Sequence, residues 1–288
     1  MLFSIIIPTY NRADLIKSTL DSILAQTFGD WECIIVDDGS VDNTEEVIQN
    51  YSEKDQRFRY IYQENAERSA ARNNGIKHSS GEWICFLDSD DLFSPDHLAE
   101  LAKQIELDNF PQFYFTGSST LHEESITINE QEHYDGIPDY FIRNSVIPAR
   151  VCIHRSLFER FQFDPDIVIV EDTVLWTYLH LQFPTRQLNL ASAIYRWHDD
   201  NSVNIAKNCF LPRLKGLRKL FNDAYIRSKI PLNARNAAIS NCYYGIAKHH
   251  EFKRNFVSMC WWVARSVLRD PGSPQTKAKL YMLYAFYR

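Results

Sequence analysis

One stretch constrains this chain more than any other: Trp83-Ile-Cys-Phe-Leu-Asp-Ser-Asp-Asp91. An apolar run of strand type, Trp83 to Leu87, stops in three carboxylates within four positions, Asp88, Asp90 and Asp91. Side chains alternate along a strand, so Asp88 and Asp90 fall on the same side just where it ends. Two carboxylates so placed repel each other and are costly unless something positive sits between them. A hard divalent cation fits that need, since Mg²⁺ or Mn²⁺ takes one or two carboxylates plus substrate phosphates. The plainer alternative is a solvated turn whose aspartates cap the next helix.

Around this stretch, strand and helix signals alternate. Phe3 to Pro8 is a β-branched run closed by proline, and Trp31 to Val36 is a second, ending in Asp37-Asp38-Gly39-Ser40. Arg57 to Tyr62, the run ending at Asp88, and Phe113 to Thr116 follow as further strands. Between them Ile16, Leu20, Ile23 and Leu24 recur at helical spacing, predicting a helix over 12–26. Asp42 and Glu45 stand at capping-box spacing for a helix to about Tyr51, and another helix runs through Ala70 to His78. Ser94-Pro95-Asp96 offers an N-cap and an N1 proline for a helix to about Leu107. This order predicts an open, mostly parallel α/β sheet with helices on both faces.

Ligands of such sheets bind outside the carboxyl ends of the strands. Three polar clusters converge there: Thr9-Tyr10-Asn11-Arg12, Asp37-Asp38 and Asp88-Ser89-Asp90. The first turn, Pro8 to Arg12, holds no glycine, and neither G-x-G-x-x-G nor G-x-x-x-x-G-K-[ST] occurs, which excludes a dinucleotide fingerprint and a P-loop. Phosphate must then be handled through a metal. Tyr10 can lie against a base and Asp38 can accept from a ring N–H; equally, each can be an ordinary strand-end or turn residue.

With 288 residues, 45% hydrophobic and 14% aromatic, the chain can bury the core of one large domain or two small ones. No apolar run approaches the roughly 20 residues of a membrane span. A strand signal from Leu2 onward leaves no room for a signal peptide. The six cysteines are scattered without C-x-x-C spacing and read as reduced core residues of a cytosolic protein. Charge is uneven. Residues 205–288 hold 16 of the 31 Lys and Arg but only three of the 37 acids, Asp223, Glu251 and Asp270. A boundary near 205 follows, with different work on each side.

Four motifs taken in order, Ser4-Ile-Ile-Ile-Pro-Thr-Tyr-Asn-Arg12, Ile35-Val-Asp-Asp-Gly-Ser40 with Asp42, Ser69-Ala-Ala-Arg-Asn-Asn-Gly-Ile76 and Phe86-Leu-Asp-Ser-Asp-Asp91, closely resemble family 2 glycosyltransferases. The match is strong over about 1–120 and weaker to about 205. It implies a GT-A fold and an inverting, metal-dependent transfer from a nucleotide-sugar, commonly a UDP-sugar. By this resemblance Pro8, Thr9 and Tyr10 line the base pocket, Asp38 binds a ring nitrogen of the base, and Arg72 contacts the nucleotide or its phosphates. Arg12 and Ser89 belong to the same nucleotide-sugar set. Asp88 and Asp90 are the D-x-D pair, Asp90 as direct metal ligand to Mn²⁺ or Mg²⁺, Asp88 as a ribose, sugar or water-mediated contact. Where many relatives have a glycine-rich turn, this chain has Asn65-Ala-Glu-Arg68; Arg68 is either a phosphate contact or a solvated helix start.

Residues 118–135 read as a polar, variable excursion on the acceptor side, Val151 to His154 as a strand, and 155–161 as a short helix. Glu171-Asp172 opens a helix whose apolar face includes Leu175, Trp176 and Leu179. Acids are favoured in a first helical turn; the resemblance instead makes Asp172 the general base. Tyr195-Arg-Trp-His198 with Asn201-Ser202 resembles the family's closing segment, with His198 a ligand of the metal or a contact of the diphosphate; a lone histidine after a strand is otherwise usually structural. The Q-x-x-R-W pattern of processive relatives is absent.

The domain reading is a catalytic unit over 1–205, divided into a nucleotide-sugar half (1–117) and an acceptor half (118–205), then a basic, aromatic helical region over 206–288. In that region Leu211, Leu214, Leu217, Leu220 and Phe221 share one face. Basic amphipathic helices with tryptophan suit an anionic membrane surface, and equally suit packing on an acidic domain. No nucleic-acid motif is present. The expected partners are a nucleotide-sugar and a glycan or lipid-linked glycan, in the cytoplasm or at the inner face of the cell membrane. The alternative is a nucleotide- or glycan-binding module of the same fold without transfer.

Overall fold

The computed structural model describes residues 1–108, 111–198 and 208–287, the last four as backbone only. The chain forms two compact units, the first comprising 1–137, 144–166 and 178–198, the second comprising 138–143, 167–177 and the C-terminal helices. The 205/206 boundary and the Asn201-Ser202 segment lie outside the described residues.

The first unit opens with β1 (Phe3–Thr9), α1 (Ala13–Leu24), β2 (Trp31–Asp37), α2 (Thr44–Ser52), β3 (Phe58–Tyr62), α3 (Glu67–His78) and β4 (Trp83–Phe86). Then come β5 (Leu92–Phe93), α4 (His97–Leu107), β6 (Phe113–Phe115), β7 (Ser118–His122), β8 (Ser125–Ile128), β9 (Val151–His154), β10 (Thr185–Gln187) and β11 (Ala193–Arg196). The main sheet runs β10-β6-β9-β4-β1-β2-β3, and β9 alone among these described strands is antiparallel to its neighbours. This is the mostly parallel α/β sheet that the alternation of elements predicts. Ile5, Ile6, Ile7, Cys33, Ile34 and Ile35 are fully buried, as strands covered by helices on both faces require. Gly75 lets α3 approach β1 closely: a Cβ there would stand 2.4 Å from Ile6 Cγ2.

Three local expectations give way. Asp42 accepts from the N–H and hydroxyl of Thr44 and from Ala13 N–H, while Glu45 accepts from Gln49, so the turn is tied to its neighbour rather than closed as a capping box. α4 starts at His97, because Ser94 N–H bonds Ser192 O, and Pro95 and Asp96 accept from Thr27. The polar excursion at 118–135 contains the β7–β8 hairpin of a second sheet, ordered β5-β11-β7-β8; β8, Ser-Ile-Thr-Ile, alternates over four residues only and is exposed at every one.

The second unit contains α5 (Tyr140–Arg143), most of α6 (Glu171–His180), α7 (Phe210–Asn222), α8 (Ala224–Lys229), α9 (Leu232–Phe252), α10 (Phe256–Arg269) and α11 (Thr276–Tyr287). Leu214, Leu217, Leu220 and Phe221 of α7 are buried, but Leu211, in its first turn, is exposed. Ser240 of α9 and Ser266 of α10 exchange hydrogen bonds, and Lys279 Nζ of α11 donates to Ser240 Oγ at 3.0 Å. No helix among the described residues is long and apolar enough to cross a membrane.

Strand order is pinned by a buried carboxylate on β2. Glu32 Oε1 accepts from Ser4 Oγ on β1 at 2.7 Å, from Ser80 Oγ at 2.8 Å and from Ser80 and Gly81 N–H; Oε2 accepts from Arg59 on β3 at 3.0 Å. Burial pushes the Glu32 carboxyl up, but the bonds from Ser4, Ser80 and Arg59 together hold it below its ordinary value. A depressed acid contributes stability above its unfolded pKa and loses it as pH falls through the folded value. Glu32→Gln is therefore expected to cost roughly 2–4 kcal/mol in urea unfolding at neutral pH. The difference from wild type should shrink below about pH 4.

Candidate functional site

Parallel register brings three strand ends to one edge. Thr9 pairs with Asp37 across β1 and β2, and Asp38 N–H donates to Thr9 O at 2.8 Å, Gln63 N–H to Asp37 O at 2.9 Å and Leu87 N–H to Ile6 O at 3.0 Å. Pro8, Thr9, Tyr10, Arg12, Asp38, Arg72, Asp88, Ser89, Asp90 and His198 all lie in the first unit; Asp172 lies in the second.

The β1 and β2 turns are laced together. Asn11, at φ 51°, takes the left-handed conformation that Asn tolerates; its N–H donates to Ser40 Oγ and its Oδ1 accepts from Val41 N–H. Arg12 N–H donates to Thr44 Oγ1. Asp37, buried, accepts from Ser40 N–H and Tyr60 and so serves the turn itself. Asp38 is equally buried. Both hydrogen bonds to its carboxylate, from Gln63 Nε2 at 2.6 Å and Ala66 N–H at 2.9 Å, fall on Oδ1. Gln63 is itself fixed by Asn74, which donates to its Oε1 at 2.8 Å. Among the described residues no hydrogen bond falls on Oδ2. Thr9 Oγ1 is buried without a hydrogen-bond partner among the described residues, while Tyr10 is 48% exposed.

The Asp88–Asp91 turn is held by its backbone. Thr19 Oγ1 of α1, fully buried, stands 3.0 Å from Ser89 O and 2.9 Å from Asp91 O, and Arg196 Nε donates to Asp90 O at 2.6 Å. Asp91 is 2% exposed and accepts Arg196 N–H; burial, then the charges of Asp88 and Asp90, push its carboxyl well above the usual range. Burial, then the charges of Asp91, Asp90 and Asp88, push Tyr195 up to about 12. With the backbone clamped, Asp88 and Asp90 are available as side chains. Arg72, almost wholly buried on α3, reaches Asp88 Oδ1 at 2.7 Å. Asp90 Oδ2 stands 3.1 Å from His198 Nε2 and 3.9 Å from Arg12 Nη2.

The Asp90–His198 pair fits a divalent cation. Two neighbouring ligands about 2.1 Å from an octahedral ion stand about 3 Å apart. Among the described residues no group of three or more His, Cys, Asp or Glu side chains could hold a cation by itself. The remaining ligands would be phosphate and water, which is how such ions sit in phosphate-handling sites.

Asp172 stands at the second position of α6, partly buried, and accepts from Thr173 N–H. Val170, two residues earlier, has φ 69°, an outlier for a β-branched residue, and packs within the second unit beside Gly216. The expected amphipathic face is too narrow a description of α6: Thr173 and Thr177 are buried along with Leu175, Trp176 and Leu179. Sequence reasoning missed Thr19, Gln63 and Asn74, which are ordinary polar residues in sequence and gain a role only through what they touch.

The family model for glycosyl transferase family 2 matches residues 4–161, and the chain belongs to that family. It is 33% identical over 202 residues to the putative teichuronic acid biosynthesis glycosyltransferase TuaG of Bacillus subtilis, covering 68% of this chain and 79% of TuaG. It spans only 29–43% of the length of several Rickettsia glycosyltransferases that it also matches. Among solved structures, S. aureus TarS 1–349 in complex with UDP-GlcNAc superposes with a TM-score of 0.66 at 16% identity, over 92% of this chain and 82% of that one. The mannosyltransferase PcManGT of Pyrobaculum calidifontis, in complex with GDP-Man and Mn²⁺, gives 0.61 at 18% identity, over 99% and 79%. The fold is that of the GT-A glycosyltransferases.

Thr19 supplies the local test. Thr19→Val keeps the shape but removes the single hydroxyl proton that Ser89 O and Asp91 O share, and should cost about 1–3 kcal/mol in urea unfolding. Thr19→Ser, which keeps the hydroxyl, should cost less.

Proposed function

We propose that the chain is an inverting, metal-dependent glycosyltransferase that moves a sugar from a UDP-sugar to a glycan or lipid-linked glycan. The observation that carries this reading is the Asp90–His198 pair, with Arg12 beside it and the Arg72–Asp88 pair at the same strand-end edge. That set offers a seat for one cation and two guanidinium groups for a diphosphate. The preference for uracil rests on Asp38. With Oδ1 taken by Gln63 and Ala66, a single acceptor remains, which suits the one N3–H of uracil. Guanine presents two adjacent donors and would need both oxygens. Thr9 Oγ1 gives the base a second polar partner, and Tyr10 and Pro8 supply apolar surface to it.

In transfer, Arg12 and Arg72 hold the diphosphate, and Asp88 and Ser89 position the ribose or sugar. Asp172 takes the acceptor hydroxyl proton as that oxygen attacks the anomeric carbon. The bond from that carbon to the diphosphate oxygen breaks on the opposite face, inverting the configuration without a covalent enzyme intermediate. Mn²⁺ or Mg²⁺ bound by Asp90 and His198 would neutralise charge on the departing diphosphate. The likeness to TuaG, a putative teichuronic acid biosynthesis glycosyltransferase, supports polysaccharide assembly as the setting, and the UDP-GlcNAc and GDP-Man complexes of the structural neighbours support a nucleotide-sugar donor. A lipid-linked acceptor brings the enzyme to the inner face of the cell membrane as a peripheral protein.

Thermal stability with UDP, GDP, CDP or ADP, each with and without Mn²⁺, tests the donor site, because a ligand of the native state raises stability. A Mn²⁺-dependent rise with UDP above all is expected, and should be lost in Asp90→Asn. Asp172→Asn should keep that rise while UDP release in the presence of an acceptor falls about 10²-fold or more. A response to GDP as large as that to UDP contradicts the uracil reading, and full turnover by Asp172→Asn contradicts its role as base.

A further inference from the structure

The helix α10 is apolar on two faces. Met259, Val263 and Ser266 are buried against the second unit's own core. The opposite side carries Val257, 80% exposed, Trp261, 52%, and Leu268, 82%, with Ala264 also exposed. Those four stand at i, i+4, i+7 and i+11, which is one stripe of a helix. A surface helix ordinarily turns charge to that side. The α9–α10 turn adds two further exposed aromatics, Phe252, 60% exposed, and Phe256, 41%.

Basic side chains border the stripe. Lys253 and Arg254 are exposed between the two phenylalanines, and Arg269 is exposed at the far end of α10. The Arg265 guanidinium lies 4.5 Å over the Trp261 ring and 4.9 Å over Tyr243. Residues 252–269 hold these four basic residues and no acid; Glu251 and Asp270 lie just outside.

We propose that the outward face of α10, with the α9–α10 turn, docks on an anionic lipid surface. Tryptophan, phenylalanine and leucine enter the boundary between headgroups and acyl chains, and the bordering lysine and arginines meet lipid phosphates. Charge complementarity selects this occupant. A nucleic acid would pair with the basic residues but leave Val257 and Leu268 in water, and a neutral protein groove would leave the four cations unmatched. The inference deepens the reading of a lipid-linked acceptor, yet rests on residues in the other unit from the donor-binding groups.

Co-sedimentation of the full chain with lipid vesicles tests it. Vesicles about one-third phosphatidylglycerol should pellet the protein at low salt, and pure phosphatidylcholine should not. Trp261→Ser with Leu268→Ser should reduce the bound fraction about tenfold. Lys253→Glu with Arg254→Glu, confined to the exposed turn, should do the same even if the first pair impairs folding, which circular dichroism would reveal. The proposal is overturned if wild type stays in the supernatant, binds both vesicle types equally, or is matched by the turn variant. A dimer in light scattering that Trp261→Ser with Leu268→Ser dissolves also overturns it, assigning the face to a second copy. Vesicle binding without a nucleotide response would leave this surface standing and sink the donor reading.

Discussion

The first unit's site depends on how the chain accommodates three carboxylates at the end of one buried strand. Asp91 sits in the interior with its charge disfavoured. Placing it there is made tolerable by the Arg196 N–H, and the turn that carries it is clamped through carbonyls: Thr19 on Ser89 and Asp91, Arg196 on Asp90. A turn fixed by its backbone does not need the side chains of Asp88 and Asp90 to hold its shape. They are left to pair with Arg72, and with His198 and Arg12, groups brought from α3, the segment after β11 and the first turn. Local cost at Asp91 and local order at the pair are two aspects of one arrangement, as expected where polar groups are preorganised for a ligand.

In the proposed function a second arrangement of the same kind serves the base. Asp38 is held at one oxygen by Gln63, and Gln63 by Asn74, so which oxygen stays available is decided two residues away from the carboxylate itself. Gly75 matters for the same reason: its missing side chain lets α3 lie close against β1, and α3 carries Arg72 to Asp88 and Asn74 to Gln63. Close packing of a helix on a strand thus sets the positions of the groups bonded to Asp88 and to Gln63.

Much of this was legible in the sequence. The strands are apolar runs that stop in proline or aspartate, and parallel register alone carries Thr9, Asp38 and Asp88 to a common edge. Thr19 was not legible: on α1 it sits within a helical pattern, and its bond partners are about seventy residues away. Nor was the role of Arg196 in bonding both the backbone and a side chain of the turn. The β7–β8 hairpin is hard to read because β7, Ser-Ser-Thr-Leu-His, has one apolar residue, and the Ser-Ile-Thr-Ile alternation of β8 spans four positions and buries no face, Ile126 and Ile128 being exposed. The helix starts at His97, beyond the Ser94-Pro95 signal, because the proline turn bonds Thr27, a tertiary contact that local capping rules do not contain.

The central claim is that Asp90 and His198 hold a cation beside a nucleotide whose base rests on Asp38. Crystals grown with UDP and Mn²⁺ address it directly through the anomalous signal of the metal. The account predicts one Mn²⁺ peak within bonding distance of both Asp90 and His198 Nε2, touching the diphosphate, with uracil N3 at Asp38 Oδ2. An ordered UDP bound elsewhere, or bound at the strand-end edge with no metal at Asp90, would contradict it.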